Sequence, residues 1–459
     1  MNEAELERLT KEIGRRIFSE MRRHAPSAIS PARIDDLMMR LLMKDEDLRY
    51  RMLRFVDVYP ALHSGKDIAK HLEEFLTAPE LATAGPGPLT PLARTIGKSR
   101  VATRGMIRLA SSIGITRMGR QFIAGDRPEE VAGRIRSMER DGFLFSLDLL
   151  GEFVVSESQA DHFAARYLEM TTTFGSLLGP RPAAVIEAGP RVNISIKLSS
   201  LTSKFEPMDP EGTSAAVRER LRPLFRAAMK HDVFINVDME KYEFRDLTLR
   251  IILDLLSEPE FAGFPHIGVV HQAYLRDALP TLESFLAALR AQSQPMTIRL
   301  VKGAYWDSEQ IWARMKGWPV PVIMDKCETD ANYERCARVL ISNHDLVRTA
   351  IASHNVRSIA HALALAKILN APLDRVEVQM LYGMAGPIKD AVRAMDVPVR
   401  IYTPSGALIP GMAYLVRRIL ENTSNESFLR QRFAERVDEE QLIADPKSLS
   451  TNGASHESA

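Results

Sequence analysis

Cysteine is nearly absent: Cys327 and Cys336 are the only two among 459 residues. A disulfide framework and a four-cysteine zinc site are thereby excluded. Long apolar runs are missing as well, since no uncharged stretch approaches the roughly 18 residues that span a bilayer. Met1 to Arg23 carries a charge every two or three residues and lacks the apolar centre of a signal peptide. Nor is there an excess of one charge. Sixty Lys and Arg against 59 Asp and Glu leave a net charge of +1, which excludes a strongly basic nucleic-acid footprint and an acidic solvating chain. What is present is 45% hydrophobic and 26% charged residues. This is the composition of a soluble, cytoplasmic protein with sizeable cores.

The pattern along the chain divides it into four parts. Leu6, Leu9, Ile13, Ile17 and Met21 recur at helical spacing among Glu, Arg and Lys, which predicts an amphipathic helix closed by Pro26. Ser30-Pro31 reads as the cap and first residue of a second helix with Ile34, Leu37, Met38, Leu41 and Leu42 on its apolar face. Leu48, Met52, Phe55 and Val56 open a third. The helical N-terminal segment is thus placed at residues 1–76, and a Pro/Gly-rich linker and helical arm at 77–140, the breakers clustering in Gly85-Pro-Gly-Pro-Leu-Thr-Pro91. Residues 431–459 end in a Ser/Asn/Gly-rich stretch read as a C-terminal tail or linker stump.

Between them, residues 141–430 alternate short apolar strands with helical segments. The candidate strands are 143–149, 192–197, 233–238, 267–272, 297–301, 346–352, 376–380 and 399–402, and helices are placed at 213–230, 247–256, 279–291 and 356–368. Eight β/α units over about 290 residues fit an α/β fold of the (β/α)8 barrel type, which needs around 250. A doubly wound open sheet would alternate in the same way, but no Gly-x-Gly-x-x-Gly follows the first strand.

Side chains at the C-terminal ends of barrel strands converge on one mouth. Here the strands end in Asp148, Lys197, Asp238 with Glu240, Gln272, Arg299 with Lys302, His354, Gln379 and Tyr402. One charged strand end is usually a solvated side chain; polar ends on all eight point to a site. After the eighth strand, Arg417, Arg418 and Glu421 lie on one predicted helix. Adjacent arginines project about 100° apart, Glu421 stands three and four residues on from them, and guanidinium forks suit a carboxylate or phosphate. No cluster with metal-ligand spacing is present, so no metal is expected.

Ser195-Ile-Lys197-Leu-Ser199, Val237-Asp238-Met-Glu240, His271-Gln272-Ala-Tyr274, Arg299-Leu-Val-Lys302-Gly303-Ala-Tyr305-Trp306-Asp307 and Tyr414-Leu-Val-Arg417-Arg418-Ile-Leu-Glu421 together resemble the proline dehydrogenase family. The likeness runs from about residue 118 to 446 and is greatest to the proline dehydrogenase half of bacterial bifunctional proline-utilisation flavoenzymes. Gln441-Leu-Ile-Ala-Asp-Pro446 is similar to the approach to their aldehyde dehydrogenase half. The resemblance implies a barrel that binds FAD at its mouth and oxidises L-proline to Δ1-pyrroline-5-carboxylate by hydride transfer to flavin N5. It also implies a quinone as electron acceptor, transient contact with the inner membrane as a peripheral protein, and an aldehyde dehydrogenase that receives the product.

By the same resemblance Lys197, Arg417 and Arg418 hold the proline carboxylate, Asp238 and Tyr402 support that clamp, and Tyr305 covers the substrate ring. Arg299 lies near flavin N5 and Gln272 at the pyrimidine edge. Lys302, Gly303, Trp306, His354, Asn355 and Gln379 contact the rest of the cofactor, and Glu421 reaches it or an arginine. Two places depart from the family pattern: Met380-Leu-Tyr382-Gly-Met-Ala-Gly-Pro387, where a more acidic turn is usual, and Ile409-Pro410-Gly411 before the last helix. Two other readings remain open at this point. One is another FAD barrel, such as a methylenetetrahydrofolate reductase-like enzyme, which would lack the paired arginines with a strand-end lysine. The other is a non-catalytic interaction module built on the front helices.

Overall fold

The computed structural model describes residues 2–24, 54, 58, 67, 71, 120–151, 154–183, 185, 189–407 and 437–448. The helices expected at 30–42 and from Leu48, the breaker-rich segment, the arginine helix and the last residues of the tail lie outside them. Two compact units are present, one comprising residues 1–25, 127–404 and 438–459, the other 26–126 and 405–437.

Eight parallel strands close a barrel in sequence order. They are β1 (Leu144–Leu149), β2 (Val192–Ile196), β3 (Val233–Val237), β4 (Ile267–Gln272), β5 (Met296–Val301), β6 (Val347–Ala352), β7 (Val376–Leu381) and β8 (Val399–Ser405). The sequence-based strands agree with these to within one residue, except that β8 runs three residues further. Helices α1 (Glu3–Arg23) and α2 (Pro128–Arg140) precede the barrel. Around it stand α3 (Glu157–Leu178), α4 (Pro210–His231), α5 (Tyr242–Leu256), α6 (Ala278–Ala291), α7 (Trp306–Lys316), α8 (Lys326–Ser342), α9 (Val356–Ile368) and α10 (Gly386–Arg393), and a short α11 (Glu439–Leu442) follows.

Local chemistry sets the helix starts. Ser156, Asp209, Asp325 and Asn355 each accept backbone N–H groups at the N-caps of α3, α4, α8 and α9, satisfying donors that the first turn leaves free. Pro210 and Pro128 occupy the first turns of α4 and α2, where a missing N–H costs nothing.

Strand alternation separates two interiors. Leu147, Ile194, Ile235, Val269, Ile298, Ile351, Val378 and Ile401 are at most 1% exposed and face the helix layer. The alternate set, Ser146, Asn193, Ser195, Asn236, Thr297, Arg299, Glu377 and Arg400, is also buried but fills the barrel with polar groups. In most such barrels branched apolar side chains take that place. Here the polar atoms satisfy one another: Ser146 Oγ donates to Asn193 Oδ1 at 2.7 Å. Arg400 donates to Glu377 Oε1 at 2.8 Å and to the Phe145 carbonyl at 2.8 Å, tying β8 to β7 and β1.

The N-terminal helix belongs to the barrel unit. It buries Leu6, Leu9, Ile17, Phe18 and Met21 while packing on α9 and α10. Glu7 pairs with Arg357 of α9 at 2.6 Å, and Arg15 and Arg22 pair with Glu440 and Glu439 of α11. The amphipathic pattern predicted the helix; its partners lie more than 300 residues away and left no local sign.

Candidate active site

Lys197 follows the last residue of β2, and its ammonium donates to Asp148 Oδ1 of β1 at 2.5 Å. Asp238, just past β3, is the second carboxylate at 3.8 Å. Asp148 and not Asp238 is therefore the lysine's close partner, although β2 and β3 pair in register up to Ile196 and Val237, the residues just before Lys197 and Asp238. Burial pulls the lysine down, but the two carboxylates outweigh it and hold the ammonium above its ordinary range. Burial likewise pushes the Asp148 carboxyl up, against the pull of Lys197. The result is a permanent cation facing the mouth.

Asp238 is the hub beside it. Its Oδ1 accepts from Arg299 Nη1 at 2.7 Å and its Oδ2 from the Tyr402 hydroxyl at 2.7 Å. Asn236 Nδ2 reaches the same carboxylate at 3.2 Å. The Arg299 guanidinium also bonds Ser195 Oγ at 3.1 Å and lies 5.2 Å from the Tyr402 ring centre. The strand-end placement read from the sequence requires correction here. Arg299 is the fourth of six residues in β5 and points into the barrel, where it is 4% exposed. Burial, with Asp148 and Asp238 nearby, lifts the Tyr402 phenol well above its usual range, so it remains a hydroxyl donor.

Gln272 ends β4 and donates from Nε2 to the Glu240 carbonyl at 3.0 Å. Glu240 accepts from Ser199 Oγ at 2.7 Å, and burial pushes its carboxyl up. Among the described residues, Gln272 Oε1 and Arg299 Nε are buried and have no hydrogen-bond partner. Gly303 has φ 149°, and a Cβ there would stand 2.5 Å from the Tyr274 ring, so only glycine fits at the end of β5. Lys302 pairs with Asp330 of α8. His354 Nε2 accepts the Leu381 N–H at 3.1 Å, linking the ends of β6 and β7. Asn355 caps α9, and Gln379 donates to Glu377 at 2.5 Å, inside the barrel.

Tyr305 is the N-cap of α7. Trp306 donates its indole N–H to the Ile323 carbonyl at 2.9 Å. It is 38% exposed, and Trp312 and Trp318 are 48% and 56% exposed, with Lys316 lying 4.2 Å from the Trp318 ring. Arg417, Arg418 and Glu421 lie outside the described residues. Sequence reasoning singled out Asp148 as a strand end without its pairing, and it passed over Ser146, Asn236 and Asp330. A cavity of about 400 Å³ opens at the other end of the barrel, lined by His24, Arg140, Asp141, Gly142, Asp390 and Arg393, away from this network.

The unpaired Gln272 oxygen, the unpaired Arg299 N–H and the glycine cradle fit the donor and acceptor edge of a flavin. Fold and site together define an α/β-barrel protein with polar and charged side chains gathered in and above the C-terminal half of its barrel. The family model described as proline dehydrogenase matches residues 131–431, and that of the proline utilization A N-terminal domain matches residues 7–122. The chain belongs to the proline dehydrogenase family.

Among curated relatives, the bifunctional protein PutA of Klebsiella aerogenes is 33% identical over 395 residues, covering 84% of this chain and 28% of the relative. A proline dehydrogenase of Deinococcus radiodurans is 29% identical over 333 residues, covering 72% of this chain and 94% of that protein. The crystal structure of proline utilization A from Bdellovibrio bacteriovorus, inactivated by N-propargylglycine, superposes with a TM-score of 0.86 at 37% identity, over 96% of this chain and 44% of that one. The chain thus spans about 28% of the length of the bifunctional relatives it matches.

Proposed function

We propose that this chain oxidises L-proline to Δ1-pyrroline-5-carboxylate with FAD bound at the barrel mouth and passes the electrons to a quinone. The observation that carries the reading is the part-buried network of Lys197, Asp148, Asp238, Tyr402 and Arg299 in a member of the proline dehydrogenase family. Bound FAD would supply the two-electron acceptor that no side chain can provide.

The chain's own groups would bind and orient. Proline offers a carboxylate, a secondary amine and an apolar ring, so its carboxylate must do most of the orienting. Lys197 is held charged for that anion, and Arg417 and Arg418 are assigned to it with Lys197. Asp238 fixes Tyr402 and Arg299 on either side, and Tyr305 is assigned to cover the ring. Gln272 presents a free carbonyl oxygen for a pyrimidine N–H, and Arg299 a cation that favours a reduced, anionic ring. Lys302, Gly303, Trp306, His354, Asn355, Gln379 and Glu421 are assigned to the remainder of the cofactor. Docking at the inner membrane for the quinone, and an aldehyde dehydrogenase that consumes the product, belong to the same proposal.

The test is anaerobic mixing of FAD-loaded protein with L-proline. The oxidised-flavin absorbance should bleach, and Arg418→Met should need on the order of 30-fold or more proline for the same effect while keeping its FAD, as expected when a charge-assisted contact loses one partner. Flavin that stays oxidised in the parent protein refutes the reading.

A further inference from the structure

Asp330, on α8, belongs to none of the sequence motifs, yet three donors from three parts of the chain converge on its carboxylate. Lys302, just past β5, pairs with Oδ1. Lys326, one turn earlier on α8, lies 3.2 Å from Oδ2, and Asn355 Nδ2 donates to the same oxygen at 3.3 Å. Asn355 is at the same time the N-cap of α9, accepting from the N–H groups of Arg357 at 2.9 Å and Ser358 at 3.4 Å. Asp330 is 7% exposed.

We infer that Asp330 is a positioning residue that holds Lys302 and Asn355, from two separate loops of the mouth, in one arrangement for the diphosphate of the dinucleotide. The inference rests on the proposed FAD site and names the residue that shapes one end of it. Two ammonium groups on one carboxylate leave a net positive charge, and the diphosphate is the only anionic part of FAD. The capped start of α9 stands beside them and adds the partial positive charge of a helix N-terminus.

A carboxylate near a phosphate site would by itself repel the ligand, so its benefit must come through the lysine. Lys302 is surrounded by the Tyr333 ring at 6.0 Å, by Lys326, by Asp330 and, further off, by Glu334. Burial lowers its ammonium, Lys326 adds to that, and the two carboxylates oppose it. Without Asp330 the half-buried ammonium either gives up its proton or swings out to water. In both cases the diphosphate loses its nearest fixed cation, and the Asn355 amide loses the anchor that orients it.

A merely structural ion cluster would destabilise the loops and weaken every ligand alike. The experiment therefore titrates the flavin-free chain of 459 residues with FAD and, separately, with riboflavin, which has the ring system and no diphosphate. Binding is read from the quenching of flavin fluorescence, and the melting of each flavin-free variant is followed by circular dichroism. Asp330→Asn should weaken FAD by on the order of 10-fold or more, leave riboflavin within about 3-fold, and melt near the parent. Adding Lys302→Met to Asp330→Asn should cost little further FAD affinity, since both act through one contact. Equal loss of both flavins, or no loss of either, overturns the inference. A parent protein that binds no FAD instead refutes the proposed function, so the two failures are told apart.

Discussion

Replacing Asp238 with alanine removes the acceptor of both a buried guanidinium and a half-buried phenol. Arg299 is 4% exposed and would keep only Ser195 Oγ at 3.1 Å and Ser146 Oγ at 3.4 Å. Breaking a buried ion pair from one side costs about 3–5 kcal/mol, because the remaining charge is neither solvated nor compensated. The stranded Tyr402 hydroxyl adds to this, although the two losses share one carboxylate and do not sum. At roughly 2–4 °C per kcal/mol for a unit of this size class, the flavin-free protein should melt about 6–20 °C lower. Asp238→Asn keeps the shape and one acceptor oxygen, so its loss should be distinctly smaller. Thermal unfolding followed by circular dichroism at neutral pH decides. An alanine variant that melts within about 2 °C of the parent would mean that Arg299 finds another counter-charge, and the hub drawn around Asp238 would be wrong.

Three further outcomes are expected. Glu377 is fully buried; burial alone would raise its carboxyl, but Arg400 and Arg348 hold it down to about 2, against an ordinary 4.5. The stability it contributes is present above pH 4.5 and is lost as the pH falls from there towards 2, amounting to roughly 3 kcal/mol over that window; Glu377→Gln should flatten that part of an acid titration followed by circular dichroism. Arg299→Met should make the flavin harder to reduce in a redox titration while changing proline affinity less, and combining it with Asp238→Ala should cost less than the two alone. Phe18→Ala, at a side chain with no exposure on α1, should cost about 3–5 kcal/mol in denaturant unfolding, and a change below about 1 kcal/mol would separate the helix from the barrel's stability.

The barrel was legible because its strands are short, apolar and β-branched, and breaks punctuate them at regular distance. β8 was cut short at Tyr402 because Thr403-Pro404-Ser405 reads as a break; at the end of a strand, however, a residue without an N–H loses little. Arg299 was placed at the mouth by counting back from Lys302-Gly303. Its depth follows from inward-facing parity in a closed sheet whose lumen is polar. Arg400 and Glu377 escaped notice for the same reason, since a charge alternating with apolar residues ordinarily marks a solvent-facing edge. The pairing of Lys197 with Asp148 joins residues 49 apart on neighbouring strands, which no local spacing encodes. Asp330 lies in a helix whose pattern resembles that of many other acids, and only the meeting of α8 with the ends of two separate loops distinguishes it.

Trp306, Trp312 and Trp318 are the protein's whole complement of tryptophan, gathered on α7 and the turn after it and each more than one-third exposed. Tryptophan emission from the unlabelled chain therefore reports on this one stretch of surface and on nothing inside the barrel. Unfolding should move that emission little, since the indoles already meet water in the folded protein. A marked shift to shorter wavelength under native conditions would instead signal that something had come to cover the β5–α8 connection.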